Sequence, residues 1–227
     1  MNNSSESKAT SDAITVDQTV RTPLQISIKR TIQLMFRIWV LPRLFAYRVS
    51  KKFLGDRAML GASESISRTP GLWGVYCRQA FYRSTLSHCG NDIFFGWQST
   101  FSMRQARIGD RAYIGRRCSL GFADVGNDVM LADGVQILSG GNEHQLAAEG
   151  EMHVDQAQQF NRVSIGSGAW LGTNAIIMAD VGADAVVGAG AVVTRSVPAR
   201  TIVAGIPARQ IGTLPSSADG DQPADVS

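Results

Sequence analysis

Three histidines and three cysteines are the side chains most able to move protons or groups in this chain: His88, His144 and His153, and Cys77, Cys89 and Cys118. An imidazole titrates near neutrality, so each histidine is a candidate general base or acid. His144 and His153 fall in one polar stretch, residues 138–162, together with Gly140, Gly141, Asn142 and Glu143, whereas His88 lies far upstream. Three histidines converging on zinc are the competing chemistry. Two on one loop and a third outside it lack that spacing, and no metal is expected. The cysteines are far apart with no CxxC pair, and their odd number fits a reducing, cytoplasmic compartment better than a disulfide framework. A histidine in a loop is often only a solvated side chain, so its meaning depends on the elements that hold it.

Those elements announce themselves by a repeat. From Ile108 an aliphatic residue recurs every six positions: Ile108, Ile114, Leu120, Val125 and Leu131, then, after the polar stretch, Ile165, Leu171, Val181 and Val187. The next residue is glycine at every one of these except Leu131, which is followed by Ala132. The residue four positions on is small or β-branched, with Asp124 as the exception. A six-residue period of this kind builds a triangular coil in which each unit supplies one short strand and one corner, and three units close a turn. The aliphatic residues point inward and stack from coil to coil at about 4.8 Å. Glycine is expected to turn the corner at positive φ. The phase slips by one residue before Val125 and by two before Val181, each expected as a shortened corner. Residues 138–162 are too irregular to coil and are expected to loop out, where functional residues on rigid scaffolds concentrate. Residues 195–207, with Pro198 and Pro207, are expected to leave the stack.

A chain of 227 residues has room for one core with extensions, and 44% hydrophobic and 18% charged residues fit a globular body. A net charge of +3 without a concentrated basic stripe argues against a nucleic-acid partner. Residues 1–23 read as a disordered tail without the features of a secretory signal. Residues 24–89 read as an N-terminal helical region, 90–214 as the β-helix domain, and 215–227 as a second disordered tail. Between Leu24 and Gly55 there is no acid, while Lys29, Arg30, Arg37, Arg43, Arg48, Lys51 and Lys52 interleave with apolar residues at helical spacing. This predicts two basic amphipathic helices, ended or kinked at Pro42. Arg37 and Arg43 interrupt the apolar run short of the roughly 20 residues a bilayer crossing needs. Two readings of the stretch stand side by side: a face packed on the body or a neighbouring subunit, or peripheral contact with acidic lipid at the inner membrane face.

The stretches VGAGAVVTRSVPARTIVAGIPARQI (187–211), RVSIGSGAWLGTNAIIM (162–178) and RIGDRAYIGRRCSLG (107–121) resemble the hexapeptide-repeat acyltransferases, an all-β family built on a left-handed parallel β-helix. ILSGGNEHQ (137–145) resembles the segment carrying the catalytic histidine in its xenobiotic and galactoside acetyltransferase branch. GLWGVYCRQAFYR (71–83) is similar to members encoded with bacterial surface-polysaccharide enzymes. The resemblance implies a homotrimer that binds acetyl-CoA, with no metal, in a groove between subunits. It also implies acetyl transfer to a sugar or polysaccharide hydroxyl by direct attack on the thioester. His144 would be the base, Glu143 would orient it or hold the acceptor, and Asn142 would bind acceptor hydroxyls. Family matching assigns coenzyme A to Trp170, Thr173, Ala189, Thr194, Arg195 and Arg209. The galactoside branch has a further basic residue three positions after the one matched by Arg209, where this chain has Gly212. The alternative readings are an acetyltransferase for a small alcohol, an antibiotic or serine, and a non-catalytic β-helix with a binding or structural role.

Overall fold

A computed structural model describes residues 23–139 and 161–215, with side chains from Thr31 onward. Four helices come first: α1 (Pro23–Trp39), α2 (Leu41–Leu54), α3 (Ala58–Ser67) and α4 (Gly71–Thr85). At the α1–α2 junction the i→i−4 bonding continues, from Val40 N to Phe36 O and from Leu44 N to Val40 O. Pro42, which has no N–H to give, therefore produces a kink rather than an end.

The rest is a triangular parallel coil of very short strands. Its first face stacks β1 (His88–Cys89), β4 (Arg107–Ile108), β7 (Ala123–Val125) and β10 (Val163–Ile165), continued by bridges to Val181 and Val197. Its second stacks β2 (Phe94–Phe95), β5 (Tyr113–Ile114), β8 (Met130–Leu131), β11 (Trp170–Leu171), β13 (Val186–Val187) and β15 (Thr201–Ala204). Its third stacks β3 (Thr100–Phe101), β6 (Ser119–Leu120), β9 (Gln136–Ile137), β12 (Ile176–Ile177) and β14 (Val192–Val193). The inward residues form three dry columns, one per face: Ile108, Val125, Ile165, Val181 and Val197; Phe95, Ile114, Leu131, Leu171, Val187 and Val203; Phe101, Leu120, Ile137, Ile177 and Val193, all buried.

Three details differ from the sequence expectation. The coil begins at His88, two residues before the expected domain start and a full turn before Ile108, the first residue of the sequence repeat, with Cys89, Phe95 and Phe101 as inward residues. Residues 195–204 stay in the stack, Val197 bridging to Val181 and Val203 pairing with Val187. The chain leaves only at Gly205, turning back through the cis Ile206–Pro207 bond so that β16 (Arg209–Thr213) runs antiparallel to β15.

The third difference concerns glycine. Positive φ falls three residues after the inward residues of the first and second faces from Cys89 to Val197, not one, at Asp92, Gln98, Arg111, Arg117, Asp128, Asn174, Asp184 and Arg200 with φ between 55° and 60°, and at Gly134, Gly168 and Gly190. The amide of such a residue donates to the corner carbonyl of the coil before it, as Arg111 N does to Asn91 O, Asn174 N to Asp133 O and Arg200 N to Ala183 O. That bond holds the left-handed conformation against its intrinsic cost. The recurrent glycine instead lets neighbouring coils touch: a Cβ on Gly115 would lie 2.6 Å from the backbone carbon of Ala132. Gly115→Ala is expected to cost about 3 kcal/mol, since two backbones must part. Gly190→Ala, with φ +67 and nothing within 4 Å, should cost only about 1 kcal/mol. Denaturant melts of the two variants check this, and equal losses would contradict it.

The helices close the open end of the coil. In the first turn the carbonyls of Ile93, Phe95 and Ser99 and the amide of Phe101 accept or donate to the helices rather than to a coil. Arg78 Nε donates to Phe95 O at 3.0 Å, Gln79 Nε2 to Ile93 O at 2.6 Å, and Tyr82 Oη to Ser99 O at 3.0 Å. Phe101 N donates to Ser63 Oγ at 2.7 Å, and that hydroxyl lies 2.8 Å from Tyr82 Oη. Because Tyr82 gives its proton to Ser99 O, Ser63 must donate to Tyr82. Around this chain of bonds the Tyr82 ring packs on Phe95 and Phe101, with centroids 4.9 and 4.7 Å away.

Candidate active site

The polar stretch leaves the coil after the third face and returns to the first. Its described ends are held together. Ser139 O accepts from Asn161 N at 2.9 Å, and Ser139 Oγ accepts from Phe122 N at 3.1 Å. Arg162 donates to Asp124 Oδ2 at 2.8 Å and lies over the Phe122 ring, 4.4 Å from its centroid. The other carboxylate oxygen has Arg107 at 3.8 Å, an ion-pair distance too long for a hydrogen bond. Asp124 thus gains meaning: the corner before Val125 is one residue shorter, the buried Ala123 takes the small inward slot, and Asp124 points out to clamp the loop root. The break in the small-residue rule was the sequence signal for this clamp. Asn142, Glu143, His144 and His153 lie outside the described residues.

The six residues expected to hold coenzyme A are all exposed, and they divide between two edges of the third face. Thr173 and Ala189 lie on successive coils at the edge between the second and third faces, where a Cβ on Gly172 would meet Ala189 N at 2.5 Å. Trp170 projects from the second face beside that edge, and Arg209 pairs with Ala204 one coil further along. Ala208 N donates to Val192 O, seating the start of β16 on the same edge. Thr194 and Arg195 follow Val193 at the opposite edge. This is the edge from which the polar stretch departs: Leu138 N donates to Ile177 O, and Met178 N to Val193 O, so Leu138, Met178 and Thr194 stack in order. The fold therefore brings Trp170, Thr173, Ala189 and Arg209 together, and separately brings Thr194 and Arg195 towards the loop root. A broad depression of about 800 Å³ on the first face is lined by other residues, among them His88, Arg107 and Asp124.

The described part of the site offers no activated nucleophile among its cysteines. Burial pushes the thiols of Cys89 and Cys118 up to about 11, and that of Cys77 upward as well. At pH 7.5 the thiolate fraction at a pKa near 11 is on the order of 10⁻³ or less. Native protein is expected to react with a disulfide reagent over hours, whereas in denaturant all three thiols should titrate within minutes. Fast labelling of the native chain would contradict this burial.

The fold and the repeat define a class: the chain folds as a left-handed parallel β-helix of six-residue units with an N-terminal helical cap. A family model described as the hexapeptide repeat of succinyl-transferase matches residues 162–195. Among curated proteins, the galactoside O-acetyltransferase of Escherichia coli strain K12 is 33% identical over 91 residues, which is 38% of this chain and 42% of that relative, so the match spans less than half of the relative's length. Among solved structures, a maltose O-acetyltransferase from Clostridium difficile 630 superposes with a TM-score of 0.62 at 23% identity, covering 71% of this chain and 87% of that one. A hexapeptide-repeat acetyltransferase from Vibrio cholerae O1 biovar eltor, solved with acetyl coenzyme A, gives a TM-score of 0.62 at 22% identity, covering 74% and 91%. Both structures share the fold of this chain.

Proposed function

We propose that the protein is an acetyl-CoA-dependent O-acetyltransferase that acetylates a sugar or polysaccharide hydroxyl, with His144 as general base. The observation that carries this reading is the 33% identity to a galactoside O-acetyltransferase, joined to a coil whose exposed corners sit where a pantetheine chain could lie. Pantetheine is narrow and carries amides, which suit the open backbone beside Thr173 and Ala189. Arg195 and Arg209 would take phosphates by charge-assisted bonds. A thioester is already activated, so the acceptor oxygen attacks its carbonyl directly, the imidazole takes the hydroxyl proton, and the imidazolium returns it to the sulfur as the C–S bond breaks, so that CoA leaves as the thiol. Glu143 would orient the imidazole, and Asn142 would bind acceptor hydroxyls.

The division of the cofactor residues between two edges supports a homotrimer. One edge, with Trp170, Thr173, Ala189 and Arg209, would face the opposite edge of a neighbouring copy, with Thr194, Arg195 and the loop that bears His144. Each groove would then be completed by two subunits.

The test is thiol release from acetyl-CoA in the presence of nucleotide sugars, bacterial glycans and small alcohols. The expected result is turnover with a sugar-bearing acceptor that exceeds background hydrolysis. Turnover only with small alcohols or serine would move the acceptor to that class. Neither CoA binding nor thiol release with any acceptor would favour a non-catalytic β-helix.

A further inference from the structure

The helical cap carries more apolar surface than its packing uses. One side of the kinked α1–α2 rod is buried on the body through Phe36, Val40, Leu44 and Tyr47. A second side repeats at the same spacing and faces outward: Leu34, Ile38, Leu41, Phe45, Val49 and Phe53, with Phe45 70% and Phe53 79% exposed. Intervals of three and four residues put these six on one stripe, and the unbroken bonding at Val40 keeps the stripe continuous across the kink. Exposed apolar patches of this length on a globular protein mark an interaction surface.

Charge selects the occupant. On a helical wheel Arg37 and Arg48 border the stripe on one side, with Lys52 within it near its end, while Arg43 lies further round the rod, and all four are exposed. From Leu24 to Gly55 there is no acidic residue at all. Next to Arg43, between α2 and α3, lies a cleft of about 280 Å³ lined also by Arg57, Ser50 and Ser65, donors suited to a phosphate. Among the described residues no helix is long and apolar enough to cross a membrane. A second copy of this chain would bring the same cations face to face, whereas a bilayer of acidic phospholipid answers both the apolar stripe and its basic border.

We infer that the α1–α2 rod lies in the interface of an anionic bilayer, with the Leu34–Phe53 stripe among the acyl chains and Arg37, Arg48 and Lys52 at the headgroups. The catalytic coil would then hang from the membrane by its capped end. This surface rests on the helical cap alone and goes beyond the acetyl-transfer reading.

The test is cosedimentation of the full chain with vesicles of phosphatidylcholine alone and of phosphatidylcholine mixed with phosphatidylglycerol, at low and high salt. Partition is expected only onto the mixed vesicles and is expected to weaken with salt. Phe45→Glu should reduce it by at least ~10-fold, and Arg48→Ala or Lys52→Ala by about fivefold each. All three variants should keep the wild-type oligomer size and melting temperature, because the replaced side chains are exposed. Absent binding, or equal binding to both vesicle types, would overturn the inference. So would a change of oligomer size in Phe45→Glu, which would assign the stripe to a second copy. No acetyl-CoA or acceptor enters the assay, so its outcome is independent of whether acetyl transfer is observed.

Discussion

Replacing His144 by alanine is expected to lower acetyl transfer by about 10²- to 10⁴-fold while leaving CoA binding unchanged. The size follows from the chemistry. A sugar hydroxyl is a poor nucleophile until its proton is leaving, and water at neutral pH is a weak base for that step. An imidazole suits the step, because its neutral form is basic enough near neutral pH to take the proton. The same assignment fixes a sign for the pH dependence. Because the neutral form acts, kcat/KM should fall as pH drops through the imidazole pKa, by about tenfold per unit well below it. Alanine should abolish that limb together with the rate. Cofactor affinity is the control, since the proposed CoA contacts come from the coil and not from this side chain. A variant that keeps more than a tenth of wild-type activity would remove His144 from the base role and bring His153 forward. His144→Asn keeps a polar group of similar reach without a basic nitrogen, so it should be as inactive as alanine.

How far such a site is legible in the sequence depends on what each residue's neighbours are. The coil was legible because every inward residue from Ile108 to Val187 answers to the same two neighbours, the coils above and below, and so repeats at a fixed period. The first turn hid itself for two reasons. Its inward residues are Cys89, Phe95 and Phe101 rather than aliphatics, and the step from Phe101 to Ile108 is one residue too long. Residues 195–204 looked like an exit because of Pro198, yet Pro198 sits at a corner beside Val197, where no ladder donor is lost from a strand. The glycines were found but misread: the period shows where a small residue is needed, not whether the reason is a backbone angle or a close approach. Positive φ is carried by Asp, Asn, Arg and Gln as well as by Gly134, Gly168 and Gly190, types that share no single sequence mark. Asp124 and Arg162 could not be paired from the sequence, since the whole polar stretch separates them along the chain.

The helical cap was the least legible part, and its most consequential residue is Arg78. It is 1% exposed and meets carbonyls: Nε donates to Phe95 O, and Nη1 donates to Thr69 O at 2.7 Å and to Ser67 O at 3.3 Å. Burial pulls its pKa below the usual guanidinium value. The ordinary value lies so far above neutrality that the side chain remains charged, so its contribution should not vary between pH 5 and 9. Burial therefore makes the charge itself costly, and what repays the cost is the fork of donors. Phe95 belongs to the first coil, whose outward-facing carbonyls have no preceding coil to accept from. Arg78→Met fills most of the volume but orphans the carbonyls of Phe95 and Thr69 in a dry interface, and should cost about 3–5 kcal/mol. That corresponds to a loss of roughly 10 °C in Tm. Arg78→Lys keeps the charge but has no planar fork to span three carbonyls, and should recover less than half of the loss. A cap loosened in this way also exposes an unpaired sheet edge, so Arg78→Met should form edge-to-edge aggregates on warming, whereas Gly190→Ala should not. Thermal melts followed by light scattering would read both effects. If Arg78→Met melts within 1–2 °C of wild type, the buried arginine is not what joins the helices to the coil, and Tyr82 with Ser63 must carry that junction instead.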